Sequence, residues 1–167
     1  RSVSRGLGDV YKRQEYRLAP EHPYPAALED AERAWDYLMH QGYGARDLVL
    51  AGDSAGGNLA LCLCMELRRQ GRMLPGALLL MSPWTDMSAS GASYTERAEM
   101  DPMLTLEYIH AVREAYAPGL DPGSSRLSPL FGDFACFPPT LIQVGSHEIL
   151  YSDSERLCAR MKEAGVP

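Results

Sequence analysis

Gly52, Ser54 and Gly56 form a G-x-S-x-G pattern inside the run LVLAGDSAGGNLAL, which begins at Leu48 and is otherwise apolar. A serine with glycines two positions away on either side can occupy a sharp strand-to-helix turn, where larger neighbours would clash. Such a turn lifts the hydroxyl clear of the backbone. The helix that follows directs its unpaired N–H groups and positive dipole end at the same place, which suits negative charge developing on an oxygen. The N–H of Ala55 is the donor expected from this side of an oxyanion hole. A glycine-rich turn also serves tight packing or cradles a phosphate, but no P-loop lysine follows here and the G-x-G-x-x-G spacing is not met.

Positioning that serine requires a strand before it and a helix after it, and the pattern supplies both. DLVLAGD, from Asp47, is apolar without polar alternation and predicts a strand buried on both faces of a parallel sheet. From about Ala55 to Arg69 the residues Leu59, Leu61, Leu63, Met65 and Leu67 predict a largely buried helix, ended by Gly71. Upstream, Ala26, Ala27, Leu28, Ala31, Ala34, Trp35 and Leu38 recur at helical spacing, with Gly42 and Gly44 as stop signals. GALLLMSP and PTLIQVGS predict two more buried strands. Between them, residues 84–138 form an excursion rich in Pro, Gly, Ser and Asp, with one helical segment from about Leu104 to Tyr116. Its Met103, Leu104, Ile109 and Val112 are candidates for a cap or pocket wall, with core packing an equal alternative. SDSERLCARMKEAG predicts a final amphipathic helix with Ser152 or Asp153 as N-cap. Strands alternating with helices indicate an α/β fold with a mostly parallel sheet and helices on both faces.

GDSAGGNLA, together with EYRLAPEHPYPAALEDAERAWDYL upstream and SPW, SPLFGDF and PPTLIQVGSHEIL downstream, resembles the bacterial hormone-sensitive-lipase family of α/β-hydrolases from Glu15 onward. The resemblance implies a serine hydrolase acting on short- to medium-chain carboxylic esters through an acyl-enzyme. It implies small-molecule ester substrates, no metal and no organic cofactor; a homodimer is the one protein partner considered for the full-length protein, and the sequence does not decide it. A non-catalytic ligand-binding protein on the same fold is the alternative.

Activating a serine takes a histidine base, and a carboxylate to fix its tautomer and stabilise the imidazolium; in this fold the order is serine, acid, histidine. Glu148 stands at the family's acid position, where aspartate is commoner. Asp153 is second choice for the acid, with helix capping its better role. No histidine follows Glu148. The base is therefore expected beyond Pro167, and no His-Gly-Gly-Gly-type oxyanion loop precedes Tyr16. Of the histidines present, His22 reads as scaffold in PEHPYP, His40 as a helix terminus and His110 as surface or packing. His147, paired with Asp86, would preserve the chain order but more simply flanks the site. The polar, basic RSVSRGLGDVYKRQ of residues 1–14 fits neither element pattern and is expected to be non-native or mis-assembled sequence. Residues 15–167 then form the central portion of an α/β-hydrolase domain, inactive in isolation.

With 167 residues, 46% of them hydrophobic, the chain can bury a substantial core. A net charge of −6 without clustered Lys and Arg argues against a nucleic-acid partner. No apolar run approaches a membrane span and no signal-peptide pattern is seen, so the expected location is cytoplasmic. Cys62, Cys64, Cys136 and Cys158 lack zinc-ligand spacing and are expected to be buried free thiols. Asp53 is expected to brace the serine turn through hydrogen bonds.

Overall fold

Three parallel strands carry the architecture: β1 (Val49–Asp53), β2 (Ala77–Met81) and β3 (Thr140–Gln143), hydrogen-bonded in that order. The computed structural model describes residues 15–167, so the reading of residues 1–14 falls outside the described residues. Asp53 is in register with Met81, and Met81 with Gln143, which brings the carboxyl ends of all three strands level. The helices are α1 (Ala26–His40), α2 (Ala55–Arg69), α3 (Ser93–Glu96), α4 (Leu106–Tyr116) and α5 (Tyr151–Glu163).

The strand alternation decides where the core sits. Leu50, Leu78, Leu80 and Ile142 point toward Leu61, Cys64 and Leu67 of α2, Trp35 of α1 and Leu157 and Met161 of α5. Leu61, Leu67, Leu80 and Leu157 are fully buried, each contributing roughly 2 kcal/mol. Val49 and Leu141, in the opposite phase, are 61% and 63% exposed. Among the described residues the long helices thus cover one face of the sheet, and β1 is buried on one face rather than two. An uninterrupted apolar run does not distinguish these cases, because a side chain's type does not report what covers it.

A second core cluster lies beyond the strand ends. Trp84, Met87 and Tyr94 of the excursion pack with Ile109 of α4 and with Ile149 and Leu150 ahead of α5. Ile109 is therefore a core residue, with Leu104 and Val112 packed against it, whereas Met103 is 84% exposed. Thr105 caps α4 by accepting the Tyr108 N–H at 3.1 Å. All four cysteines are free, but only Cys62 and Cys64 are buried; Cys136 is exposed and Cys158 half-buried. Burial pushes the Cys62 and Cys64 thiols up to about 12, so neither forms a thiolate near neutral pH. Among the described residues no helix is long and apolar enough to cross a membrane.

The start of α5 departs from expectation. Its N-cap position is Leu150, with no side-chain cap, while Ser152 and Asp153 lie in the first turn facing the loop after β2. Asp153 is fully buried, and its Oδ2 accepts the N–H groups of Thr85 and Asp86, both at 2.8 Å. Burial raises the Asp153 carboxyl to about 7, with the nearby Asp86 charge adding to the effect and the two N–H groups opposing it. For Asp86 burial pushes upward too, but the hydroxyls of Ser88 and Ser90 and the Arg156 guanidinium outweigh it and hold that carboxyl below its ordinary value.

The signs of these two shifts separate by pH. Asp86 contributes stability that is lost only in acid, as pH falls through its lowered folded pKa. Asp153 keeps its proton in the fold after the unfolded chain has released it, so its contribution falls as pH rises from about 4 to about 7. Asp153→Asn retains an acceptor for Thr85 and Asp86 but cannot ionise. Urea unfolding of the full-length protein should show the variant gaining on the order of 2 kcal/mol relative to the parent between pH 4.5 and pH 8. Parallel pH dependence of the two proteins would refute this.

Candidate active site

β1 ends at Asp53 and α2 begins at Ala55, so Ser54 alone makes the turn, with φ 52° and ψ −114°. A positive φ with that ψ is costly for a residue carrying Cβ, by about 1–3 kcal/mol, and persists only where the surroundings enforce it. They do so through the backbone. Ser54 N–H donates to Met81 O at 2.9 Å, and Ser54 O accepts from Gly57, Asn58 and Trp84 at 3.0, 3.2 and 3.1 Å.

The tight packing falls on Gly52 and Gly57. A Cβ on Gly52 would lie 2.2 Å from Gly56 O and 2.5 Å from Gly57 N, and one on Gly57 would lie 2.8 Å from Pro83 Cβ. For Gly56, the second glycine of the motif, nothing lies within 4 Å among the described residues. Close approach therefore requires the glycine after the motif rather than the one that completes it. Asn58 also escaped the sequence reading: it is buried, and its Nδ2 donates to Trp84 O and Leu127 O, both at 2.8 Å. These bonds fix the start of α2 to the loop after β2. Asp53 is exposed, and its carboxylate meets no hydrogen-bond partner among the described residues, so the expected brace is not present there.

Ser54 is half-buried and its hydroxyl is engaged by no hydrogen bond among the described residues. The N–H groups of Ala55 and Gly56 have no backbone acceptor there either, as the first turn of a helix leaves them. Ala55 is exposed. Hydroxyl, free N–H groups and helix dipole thus converge at one end of the sheet.

Glu148 follows β3 in the turn before α5, at the same end of the sheet. The strands that precede it and Ser54 are two ladder spacings apart, about 10 Å between strand axes. Glu148 Oε1 accepts the Gly145 N–H at 2.7 Å, leaving Oε2 without a partner among the described residues. Asp153 is committed to the backbone of Thr85 and Asp86 and is unsuited to the acid role. Asp86 is equally committed: fully buried, with both oxygens held by Ser88, Ser90 and Arg156, it has no contact with the exposed His147. His22 and His110 are exposed, and His40 Nδ1 meets Asp36 O at 2.8 Å at the end of α1. No histidine in the described residues bonds to Ser54 or Glu148.

A family model described as alpha/beta hydrolase fold matches residues 2–167. The chain is 40% identical over 153 residues to an esterase of Acinetobacter venetianus, covering 91% of this chain and 50% of that protein. It is 40% identical over 171 residues to an acetyl-hydrolase of Streptomyces hygroscopicus, covering all of this chain and 57% of the relative. The chain therefore spans about half the length of the curated relatives it matches. Its structure superposes on the crystal structure of an esterase from the bacterial hormone-sensitive lipase family with a TM-score of 0.88. That match has 43% identity over 91% of this chain and 51% of the other. The backbone at Ser54, the level strand ends and these relatives agree: the chain belongs to the α/β-hydrolase fold family, in its bacterial hormone-sensitive-lipase branch.

Proposed function

We propose that the whole protein containing this chain is a serine carboxylic-ester hydrolase in which Ser54 attacks the ester carbonyl. The single observation that carries this reading is the strained Ser54 backbone at the β1–α2 turn, with the unpaired N–H groups of Ala55 and Gly56 beside the hydroxyl. The relatives named esterase and acetyl-hydrolase support the same chemistry. Ser54 Oγ bonds to the carbonyl carbon, and the N–H of Ala55 donates to the oxyanion of the tetrahedral intermediate. A histidine from the part of the protein outside residues 1–167 takes the hydroxyl proton and delivers it to the departing alcohol. Water then cleaves the acyl-enzyme by the same route in reverse. Glu148, through Oε2, accepts the N–H of that histidine and stabilises the imidazolium.

Residues 15–167 would form the central portion of the hydrolase domain, with residues 84–138 walling part of the pocket. Short- to medium-chain acyl esters are the expected substrates, with neither metal nor organic cofactor required. A homodimer, a cytoplasmic setting and no nucleic-acid partner complete the reading.

The test uses the full-length protein, a p-nitrophenyl butyrate assay and a fluorophosphonate label. Hydrolysis should be blocked in step with labelling, and peptide mapping should place the adduct on Ser54. An adduct elsewhere, or undiminished turnover after complete labelling, would refute the assignment. Glu148→Gln should lower kcat by about 10²- to 10⁴-fold while the label still reaches Ser54, only more slowly.

A further inference from the structure

The turn that carries Glu148 is anchored from outside by three residues spaced four apart in the excursion. Ser93, Arg97 and Asp101 are linked by successive backbone bonds from Arg97 N–H to Ser93 O and from Asp101 N–H to Arg97 O, both 3.0 Å. Positions four apart in such a turn share a face. Each side chain on that face reaches the main chain around Glu148. Asp101 Oδ2 accepts the N–H of Ile149, the residue after the acid, at 2.9 Å. Ser93 Oγ donates to Ile149 O at 2.5 Å and accepts the Ser152 N–H at 2.9 Å. Arg97 donates to Ser146 O and stacks its guanidinium 3.6 Å from the centroid of the Tyr151 ring.

Among the described residues, the side chain of Glu148 itself has one hydrogen bond, accepted from the Gly145 N–H inside the same turn. The turn's internal backbone bonds are long, 3.3 Å from Glu148 N–H to Gly145 O and 3.2 Å from Tyr151 N–H to Glu148 O. Orientation of the carboxylate therefore depends on where the peptides on either side of it are held. Those peptides are held by Ser93, Arg97 and Asp101. Asp101 has a second attachment, since its Oδ1 accepts the N–H groups of Met103 and Leu104, both at 2.9 Å, immediately before the cap of α4. One carboxylate thus joins the acid turn to the start of α4.

We propose that Ser93, Arg97 and Asp101 are positioning residues for the acid, setting the placement of Glu148 and through it the basicity of the histidine it serves. The proposal rests on the reading of Glu148 as the acid. None of the three touches substrate; each acts by holding the peptides that flank Glu148.

The experiment compares Arg97→Gln, Arg97→Lys, Asp101→Ala and Glu148→Gln in the full-length protein, by kcat and KM for p-nitrophenyl butyrate across pH. Reactive sites are counted with the fluorophosphonate label. Arg97→Gln and Asp101→Ala should lower kcat per labelled site about tenfold with KM within about twofold, as expected for a misplaced catalytic group. The acidic limb of their kcat/KM profile should move to lower pH by about half a unit, because a displaced carboxylate stabilises the imidazolium less. Arg97→Lys keeps a charged donor for Ser146 O and a cation beside the Tyr151 ring, which glutamine does not, and should recover most of the loss.

Loss of rate explained wholly by fewer labelled sites, with the limb unmoved, would make the residues merely structural and overturn the proposal. Normal kinetics in both variants beside an impaired Glu148→Gln would overturn it while leaving the acid assignment intact. A Glu148→Gln protein with the parental rate and profile would overturn the acid assignment and the proposal together. Arg97 is half-exposed, so its variants decide the matter even where Asp101→Ala does not fold.

Discussion

Ser54→Ala in the full-length protein is expected to lower kcat/KM for a p-nitrophenyl ester by about 10⁴-fold or more, a loss of roughly 5.5 kcal/mol of transition-state stabilisation. Stability should hardly change. The hydroxyl has no hydrogen-bond partner among the described residues, so its removal leaves no buried group unsatisfied. The strained backbone stays as it is, because alanine carries the same Cβ into φ 52° and ψ −114°. Ser54→Gly sharpens the test. It relieves the cost of a positive φ, set against the greater freedom of glycine in the unfolded chain, and should stay within about 1 kcal/mol of the parent in stability. Both variants should be equally inactive, since each removes the nucleophile. Steady-state kinetics and urea midpoints on the two proteins check the pair of statements. Activity in either variant within tenfold of the parent would remove Ser54 from the mechanism, whatever the turn looks like.

This separation of activity from stability also shows which parts of the molecule were legible in sequence. The β1–Ser54–α2 unit was readable because its determinants are local: a serine with a glycine two positions to either side, in an apolar run that changes from strand to helix within a few residues. The proposal of Glu148 as the acid rests on its place in the turn after a later strand and on the family resemblance, since a glutamate there carries no local mark of a role. The contacts of Asp153, Asp101 and Ser93 were hidden for a different reason. Asp153 looks like a helix cap because such residues usually are caps, yet its partners Thr85 and Asp86 lie 68 and 67 positions away. Ser93 and Asp101 sit in a stretch whose Pro, Gly and Ser content predicts loop, and their partners in the acid turn are 56 and 48 positions distant. The four-residue spacing of Ser93, Arg97 and Asp101 was available in the sequence. Its meaning required knowing that one short turn packs against another. Similarly, the exposure of Val49 and Leu141 depends on what covers the sheet, which no strand states in its own residues.

The second large effect concerns Gly52, and it tests whether the strain at Ser54 is enforced as the geometry indicates. In Gly52→Ala the new methyl would sit 2.2 Å from Gly56 O and 2.3 Å from Gly56 C, backbone atoms that cannot swing aside as a side chain could. Relief requires shifting either the end of β1 or the first turn of α2. Moving β1 stretches the bond from Ser54 N–H to Met81 O, and moving α2 disturbs the bonds that Ser54 O accepts from the Gly57 and Asn58 N–H groups. The expected cost is about 3 kcal/mol, at the upper end of overpacking effects because the clash is with main chain. Activity should fall further than stability, because either displacement moves the Ser54 hydroxyl relative to the Ala55 N–H, and an ångström there is worth about 10²-fold. Gly56→Ala supplies the contrast. Its Cβ meets nothing within 4 Å among the described residues, and alanine suits a helix better than glycine, so the change in stability should stay below about 1 kcal/mol. Urea midpoints and esterase rates for the two variants decide the point. Equal destabilisation would mean that the G-x-S-x-G spacing constrains the turn symmetrically. The expected inequality places the constraint on Gly52 and the main chain of Gly56 and Gly57, which together hold the serine in a conformation it would not choose.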